Sequence, residues 1–186
     1  MIQTSQTTET LPRTLEEFIA WEPTDGFKYE WNDGEIIKST RMKKKQYYIY
    51  HRLLKLFVSC GYIDLGTLIA EPDVQLSGIQ MRRPDIAFFY DEQFENENDD
   101  EVAIPAFLVE IISLHDQINQ MEKKITEYFK AGVQVVWTIN PQEMLVSVYT
   151  SRREVKICIG SDVCSAAPVL PDFEIRVDEL LTWTKP

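Results

Sequence analysis

Two acidic residues stand in otherwise apolar segments of the chain, and two lysines follow them. Asp85 lies within RRPDIAFF and Glu110 within AFLVEIIS, and the next predicted helix opens with Lys123 and Lys124. Burying a carboxylate is costly unless a counter-ion or a metal ion compensates its charge. Mg²⁺ and Mn²⁺ prefer hard oxygen ligands, so the two carboxylates and the backbone carbonyl of Ile111 would form a suitable coordination shell. With a lysine nearby, such a site suits hydrolysis of phosphodiester bonds.

The position of the lysine departs from the simplest arrangement for this chemistry. An E-x-K pattern would place it two residues after the glutamate, where this chain has Ile112. A helix that follows the glutamate strand folds back over the sheet, so a long side chain from that helix can reach the end of the strand. Lys124 is therefore the expected substitute, and Lys123 is its alternative.

Each of these residues also has a structural explanation that involves no catalysis. Asp85 can bend or cap a strand at its Pro-Asp step. Glu110 can be a buried glutamate paired with an arginine such as Arg83. The two lysines can lie exposed on the first turn of their helix and pair with Glu127. The residues by themselves leave both explanations open.

Turn signals and periodicity predict the elements of the N-terminal half. TLEEF predicts a short helix with Thr14 as its N-cap, and FKYEWNDGEIIKS predicts a β-hairpin that turns at Asp33-Gly34. An amphipathic basic helix is expected from about Lys43 to Cys60. A strand pair turning around Gly78 follows, and its second strand carries Asp85.

The C-terminal half predicts a crossover between two parallel strands. AFLVEIIS is typical of a central strand that is covered on both faces. Asp116 can cap a helix that ends near Lys130, with Gly132 as a left-handed cap, and VQVVWTIN is the next strand. Further strands and a short closing helix complete an α/β (α+β) fold, with a mixed central β-sheet flanked by helices and an N-terminal helix and hairpin.

Composition limits the classes of protein that this chain can represent. Its 186 residues are 44% apolar, which predicts one domain over residues 11–186 after a disordered polar leader, residues 1–10. No stretch approaches the length of a membrane span, so we expect a cytoplasmic protein with no membrane partner. The three cysteines are an odd number without CxxC spacing, which predicts neither a disulfide framework nor a cysteine-ligated zinc site.

The net charge of −11 argues at first against a nucleic-acid partner. However, many of the acidic residues lie in DEQFENENDDE, residues 91–101, whereas basic residues cluster elsewhere. These basic clusters are Arg41–Lys45, Arg82-Arg83, Lys123-Lys124 and Arg152-Arg153. The clusters can be solvated faces or a surface that contacts DNA.

The segments in their order resemble the Uma-two family of restriction-endonuclease-like proteins in the PD-(D/E)XK superfamily. The resemblance covers about residues 11 to 182 and is carried by TLEEF, DGFKYEWNDGEI, EPDVQL, RRPDIAFF, LVEIIS, EKKITEYFKAGV, VVWTINP and VDELL. It implies a restriction-endonuclease-like fold, with Asp85 and Glu110 as metal ligands and Lys124 as a migrated catalytic lysine. It also implies that Glu30 is an additional acidic member of the site.

The chain departs from the family pattern at two places. Ser113-Leu114-His115 stands where the family usually has Ser-Pro-Ser, and the histidine that is usual near Lys45 is missing. Neither change removes a proposed ligand. Both concern contacts with the substrate, and His115 is a local addition beside the site.

The resulting expectation is a Mg²⁺- or Mn²⁺-dependent endodeoxyribonuclease that acts on DNA as a homodimer. Two sites related by a two-fold axis suit the cleavage of both strands of a duplex. A different class of function is a catalytically inactive nuclease fold that binds DNA or a protein. A third is an acidic surface, built on residues 91–101, that mimics DNA toward a protein partner.

Overall fold

The computed structural model describes residues 11–94, 103–114 and 116–182. The predicted leader, His115 and most of the acidic segment lie outside these ranges. In chain order, the described helices are α1 (Leu15–Ile19), α2 (Lys44–Ser59), α3 (Ile118–Ala131) and α4 (Val177–Leu181). None of these helices has the length and apolar character that crossing a membrane requires.

The strands of the described residues fall into three sheets. They are β1 (Phe27–Asn32), β2 (Glu35–Thr40), β3 (Gly66–Ala70), β4 (Val74–Ser77), β5 (Gln80–Arg82), β6 (Ile86–Tyr90), β7 (Phe107–Ile111), β8 (Val135–Asn140), β9 (Leu145–Ser151), β10 (Glu154–Ile159), β11 (Val163–Ala166) and β12 (Leu170–Arg176). The largest sheet has the order β10-β9-β8-β7-β6-β3, the second has the order β2-β1-β5-β4, and β11 pairs with β12.

The six-stranded sheet is the predicted mixed sheet. β7 and β8 are parallel and are joined through α3, whereas the other neighbouring strands are antiparallel. All five residues of β7 are buried, as expected for a strand covered on both faces. One face packs on Leu53 and Phe57 of α2, and the other packs on Ile125 and Tyr128 of α3. Glu110 is therefore held within a sandwich of two helices around a sheet.

The predicted hairpin of β1 and β2 turns at Asp33-Gly34. Both residues have positive φ values, 51° and 85°, which the tight two-residue hairpin turn requires. Tyr29 and Trp31 pack against α1 on one face of the hairpin. Because side chains alternate along a strand, the intervening residues of β1 face the opposite side, toward the six-stranded sheet.

The predicted strand pair around Gly78 is confirmed in its pairing, but it is divided between two sheets, and Asp85 lies outside its second strand. β4 and β5 form a hairpin in the second sheet, whereas β6 pairs with β3 in the six-stranded sheet. Asp85 lies immediately before β6 and not within it. Pro84 has no N–H to donate to a ladder, so the chain leaves one sheet there and enters the other.

The helix that carries the lysines begins later than predicted. α3 starts at Ile118 with Gln117 at its N-cap, because the Asp116 carboxylate accepts the Ser113 N–H at 2.7 Å and closes the preceding turn. Lys123 and Lys124 are the sixth and seventh residues of α3, so they lie in its second turn instead of opening it. The predicted end is confirmed, because Gly132 caps the helix with φ 109°.

Candidate active site

A cavity of about 470 Å³ opens between the first hairpin, the start of α2, the end of β7 and one side of α3. Asp85, Glu110, Lys124 and Glu30 line it, together with Ile111. Glu110 and Ile111 are neighbours on β7, whereas Glu30 lies on β1, Asp85 lies immediately before β6 and Lys124 lies on α3. The structure brings every predicted site residue to the same cavity.

Asp85 is a buried carboxylate with both oxygens occupied. Its Oδ2 accepts the backbone N–H of Ile111 at 2.7 Å, and its Oδ1 accepts a hydrogen bond from Lys28 Nζ at 3.0 Å. The carbonyl of Ile111 accepts a longer bond, 3.4 Å, from the Gln46 side chain at the start of α2. The end of β7 is therefore tied to Asp85 on one side and to α2 on the other.

Glu110 extends from β7 toward α3. Its Oε1 accepts a hydrogen bond from Lys124 Nζ at 3.2 Å and another from the Tyr128 hydroxyl. Burial raises the pKa of Glu110 above its ordinary value, and attraction to Lys124 does not offset this effect. Lys124 and Tyr128 are four residues apart on one face of α3, so a single helix face supplies both donors.

Glu30 belongs to a second set of buried ion pairs behind the cavity. Its Oε1 accepts from Lys124 Nζ at 2.7 Å, and its Oε2 accepts from Arg82 at 3.0 Å. Arg82 also donates to the Glu127 carboxylate, with its Nε 2.9 Å from Oε2. Burial acts to raise the pKa of Glu30, but attraction to Lys124 and Arg82 is stronger, so this pKa lies below its ordinary value.

Lys124 is a fixed cation between two carboxylates. Burial acts to lower the pKa of Lys124, but attraction to Glu110 and Glu30 outweighs it and raises the pKa above its ordinary value. The ammonium therefore keeps its proton near neutral pH in this arrangement. It can orient water or stabilise negative charge, but it cannot accept a proton.

Lys28 is the second buried cation of the cavity. Burial acts to lower the pKa of Lys28, but attraction to Asp85 and Glu110 outweighs this effect and raises the pKa above its ordinary value. Its Nζ binds Oδ1 of Asp85, whereas the backbone of β7 binds Oδ2. Two lysines and Arg82 thus compensate most of the negative charge in and behind the cavity.

The ion pairs that the sequence suggested for Glu110 and for the two lysines of α3 do not form. Arg83 pairs with Asp73 and not with Glu110. Glu127 pairs with Arg82 and not with a lysine. Lys123 is exposed and does not line the cavity, so the geometry favours Lys124 over its neighbour.

The available donors match a hard divalent cation in type. Within the described ranges, no group of three or more His, Cys, Asp or Glu side chains is arranged to hold a metal ion. The Asp85 and Glu110 carboxylates and the Ile111 carbonyl are oxygen donors that line one cavity. Mg²⁺ is commonly held by one or two carboxylates with waters in its remaining positions, so this small donor set fits such an ion.

Three residues of this network escaped prediction from the sequence: Lys28, Arg82 and Tyr128. A signal existed for Lys28, because it alternates with Tyr29 along the hairpin and therefore faces the same side as Glu30. Tyr128 stands one helical turn after Lys124. No local signal marks Arg82, whose partners lie 52 and 45 residues away.

Residues 15–178 match the profile of the Uma2 family, which is described as "Putative restriction endonuclease". The chain belongs to the Uma2 family. The match confirms the resemblance drawn from the sequence motifs, and it spans all the cavity residues named above.

A solved structure supports the fold of this Uma2 chain. It is described as "a putative nuclease belonging to DUF820 from Anabaena variabilis", and the two folds align with a TM-score of 0.77. The alignment covers 91% of this chain and 98% of that chain at 24% identity, so it supports the fold alone. The predicted restriction-endonuclease-like fold is confirmed. No protein with a curated description matches this Uma2 chain.

Proposed function

We propose that this Uma2 protein is a Mg²⁺- or Mn²⁺-dependent endodeoxyribonuclease that hydrolyses phosphodiester bonds in DNA. The convergence of Asp85, Glu110, Glu30 and Lys124 on one cavity is the observation that carries the proposal. Membership of a family described as "Putative restriction endonuclease" supports the nuclease class. The metal dependence and the DNA substrate come from the chemistry of the donors and from the basic residues around the cavity.

Each cavity residue has a distinct task in this proposal. Asp85 and Glu110 would hold the divalent ion together with the carbonyl of Ile111. When bound, the ion would supply Lewis-acid activation of a water molecule and would offset negative charge at the scissile phosphate. Lys124 would add a fixed positive charge and orient the water, and Glu30 holds the Lys124 ammonium at 2.7 Å.

Basic side chains at the mouth of the cavity support an approach by a phosphate backbone. Lys38 and Lys43 line the cavity, and Lys44 and Lys45 are exposed on the first turn of α2. A protein with net charge −11 repels DNA in general, so binding would depend on this local cluster and would weaken steeply with salt. Cleavage of both strands of a duplex would use a homodimer, which sedimentation of the protein with DNA would detect. The cytoplasmic location stays a prediction from the sequence.

A plasmid-nicking assay with Mg²⁺ and with Mn²⁺ tests the proposal. Asp85→Asn and Lys124→Met should each lower the rate by about 100-fold or more, because each removes charge stabilisation inside the cavity. Lys123→Met is the matched control and should stay within about threefold of the wild type, because this lysine is exposed and outside the cavity. Full activity in Asp85→Asn would show that the nicking arises elsewhere.

A non-catalytic domain is the second candidate. The observation in its favour is that the carboxylates of Asp85, Glu30 and Glu110 each already accept a hydrogen bond from a lysine, an arginine or a backbone N–H. Such a network can be purely structural. This candidate predicts binding of DNA or a protein without turnover, and no binding of Mn²⁺ in calorimetry. The DNA-mimic version relies on residues 91–101, most of which lie outside the described ranges, and loss of a partner on deleting that segment would support it.

A further inference from the structure

Lys28 is a charged group of the cavity to which the proposed reaction gives no task. It stands on β1, is only 5% exposed, and its ammonium lies 3.0 Å from Asp85 Oδ1. The other oxygen of Asp85 is bound by the Ile111 N–H, which belongs to the backbone at the end of β7 and has no freedom to leave. The Oδ1 atom is therefore the oxygen of Asp85 that an external cation would take, and Lys28 occupies it.

We propose that the Lys28 ammonium is an internal competitor of the divalent ion at Asp85, which the ion must displace in order to bind. Lys28 thereby lowers the affinity of the site for metal, and the displaced ammonium turns into the cavity, where a phosphate would meet it. This inference rests on the proposed function, because it assumes that Asp85 is a metal ligand.

The contacts of the two buried lysines explain why Lys28 is the one displaced. Lys124 contacts both Glu30 and Glu110, so it keeps Glu30 at 2.7 Å even if its bond to Glu110 opens. Lys28, in the described part of the chain, has Asp85 as its hydrogen-bonded carboxylate partner. A divalent ion that takes Asp85 Oδ1 therefore leaves Lys28 without that bond and close to a second positive charge, which favours its movement.

The formal charge of the site points in the same direction. The network has a formal net charge of −1, because it contains four carboxylates and three cations. The carboxylates are Asp85, Glu110, Glu30 and Glu127, and the cations are Lys28, Lys124 and Arg82. Such a site attracts a divalent ion weakly. A neutral residue in place of Lys28 would double the negative charge and would also free the oxygen of Asp85 that the ion requires.

Calorimetric titration with MnCl₂ tests the competition without relying on cleavage. The full-length wild type would be compared at pH 8 with Lys28→Met, which removes the charge at similar volume, and with Lys28→Arg, which keeps it. Removing a unit charge this close should lower the Kd for Mn²⁺ by about tenfold or more in Lys28→Met. The Kd of Lys28→Arg should stay within about threefold of the wild type, because a cation still faces Asp85.

Lys123→Met is the matched control, because Lys123 is exposed and does not line the cavity. Its Kd should be unchanged. If Lys28→Met does not fold, Lys28→Gln provides a second neutral side chain. For either folded variant, Mn²⁺ should also raise the melting temperature by more than it does for the wild type.

The outcomes separate this inference from the function on which it rests. If the wild type binds Mn²⁺ and the neutral variants bind it equally or more weakly, the competition is refuted and the metal site stands. If Lys28→Arg binds as tightly as Lys28→Met, charge is not the cause and the inference fails. If no protein in the series binds Mn²⁺, both the inference and the proposed metal-dependent function fail.

Discussion

Arg82 connects two acidic side chains behind the cavity, and its replacement by methionine should destabilise the protein strongly. The side chain is 1% exposed and donates to Glu30 at 3.0 Å and to Glu127 at 2.9 Å. Methionine fills a similar volume but leaves these buried carboxylates without their shared cation. Removing one partner of a buried ion pair typically costs about 3–5 kcal/mol, and we expect Arg82→Met to fall in this range near neutral pH.

The loss of unfolding free energy in Arg82→Met should become smaller as the pH falls. In the wild type, burial acts to raise the pKa of Glu30, but Lys124 and Arg82 hold it below its ordinary value. A group with a lowered folded pKa stabilises the protein above its unfolded pKa, and that stability is lost as the pH falls through the folded pKa. Without Arg82 the folded pKa of Glu30 rises, because Lys124 is then its remaining cationic partner, so protonation of Glu30 relieves the lost charge compensation in the variant first. The difference in stability should therefore be smaller at pH 5 than at pH 8.

Urea unfolding followed by tryptophan fluorescence at these two pH values measures the effect. Arg83→Met is the control, because the adjacent Arg83 pairs with an aspartate on the surface, and the Asp73 side chain is 49% exposed. Such an exposed pair contributes about 1 kcal/mol or less. Equal losses in the two variants, or a larger loss of Arg82→Met at pH 5 than at pH 8, would refute the reasoning from buried charge.

Three further substitutions or modifications follow from the packing. Tyr128→Phe removes the hydroxyl that donates to Glu110 and should cost about 1.5–3 kcal/mol in urea unfolding. An unchanged midpoint would show that this bond adds no stability. Gly66→Ala would place its methyl group 2.1 Å from the carbonyl oxygen of Phe89, so we expect a loss of about 3 kcal/mol. Wild-type stability would contradict this close strand approach. Iodoacetamide should label Cys60 in the native protein and spare the other two thiols, which are buried. Mass spectrometry that finds all three labelled before unfolding would contradict their burial.

Elements with strong local signals were predictable. The hairpin at Asp33-Gly34 follows from the demand for two positive φ values, and α2 follows from its apolar periodicity. The parallel pairing of β7 and β8 follows from the length of the helical connection between them. The separate sheet containing β4 and β5 was not predictable. β5 joins this sheet by pairing with β1, and the paired residues lie about 50 residues apart in the sequence.

The same division applies to the candidate site. Asp85, Glu110 and Lys124 were conspicuous because charged residues stand out within or after apolar segments, and Glu30 was added through the family resemblance. Lys28 and Arg82 were missed because a lysine or arginine on a strand is ordinary until its partner is known. The second turn of α3, and not its first, brings Lys124 to Glu110, because this lysine is the seventh residue of the helix.

The amino-acid sequence by itself determined the family, the mixed α/β architecture and the identity of the acidic residues that need compensation. Turn chemistry and hydrophobic periodicity are local properties, and they are present in the chain before it folds. The tertiary structure alone decided which cation compensates which carboxylate, because a buried charge is stabilised by the group that packing places within about 3 Å of it. For Asp85 that group is Lys28, 57 residues earlier in the chain.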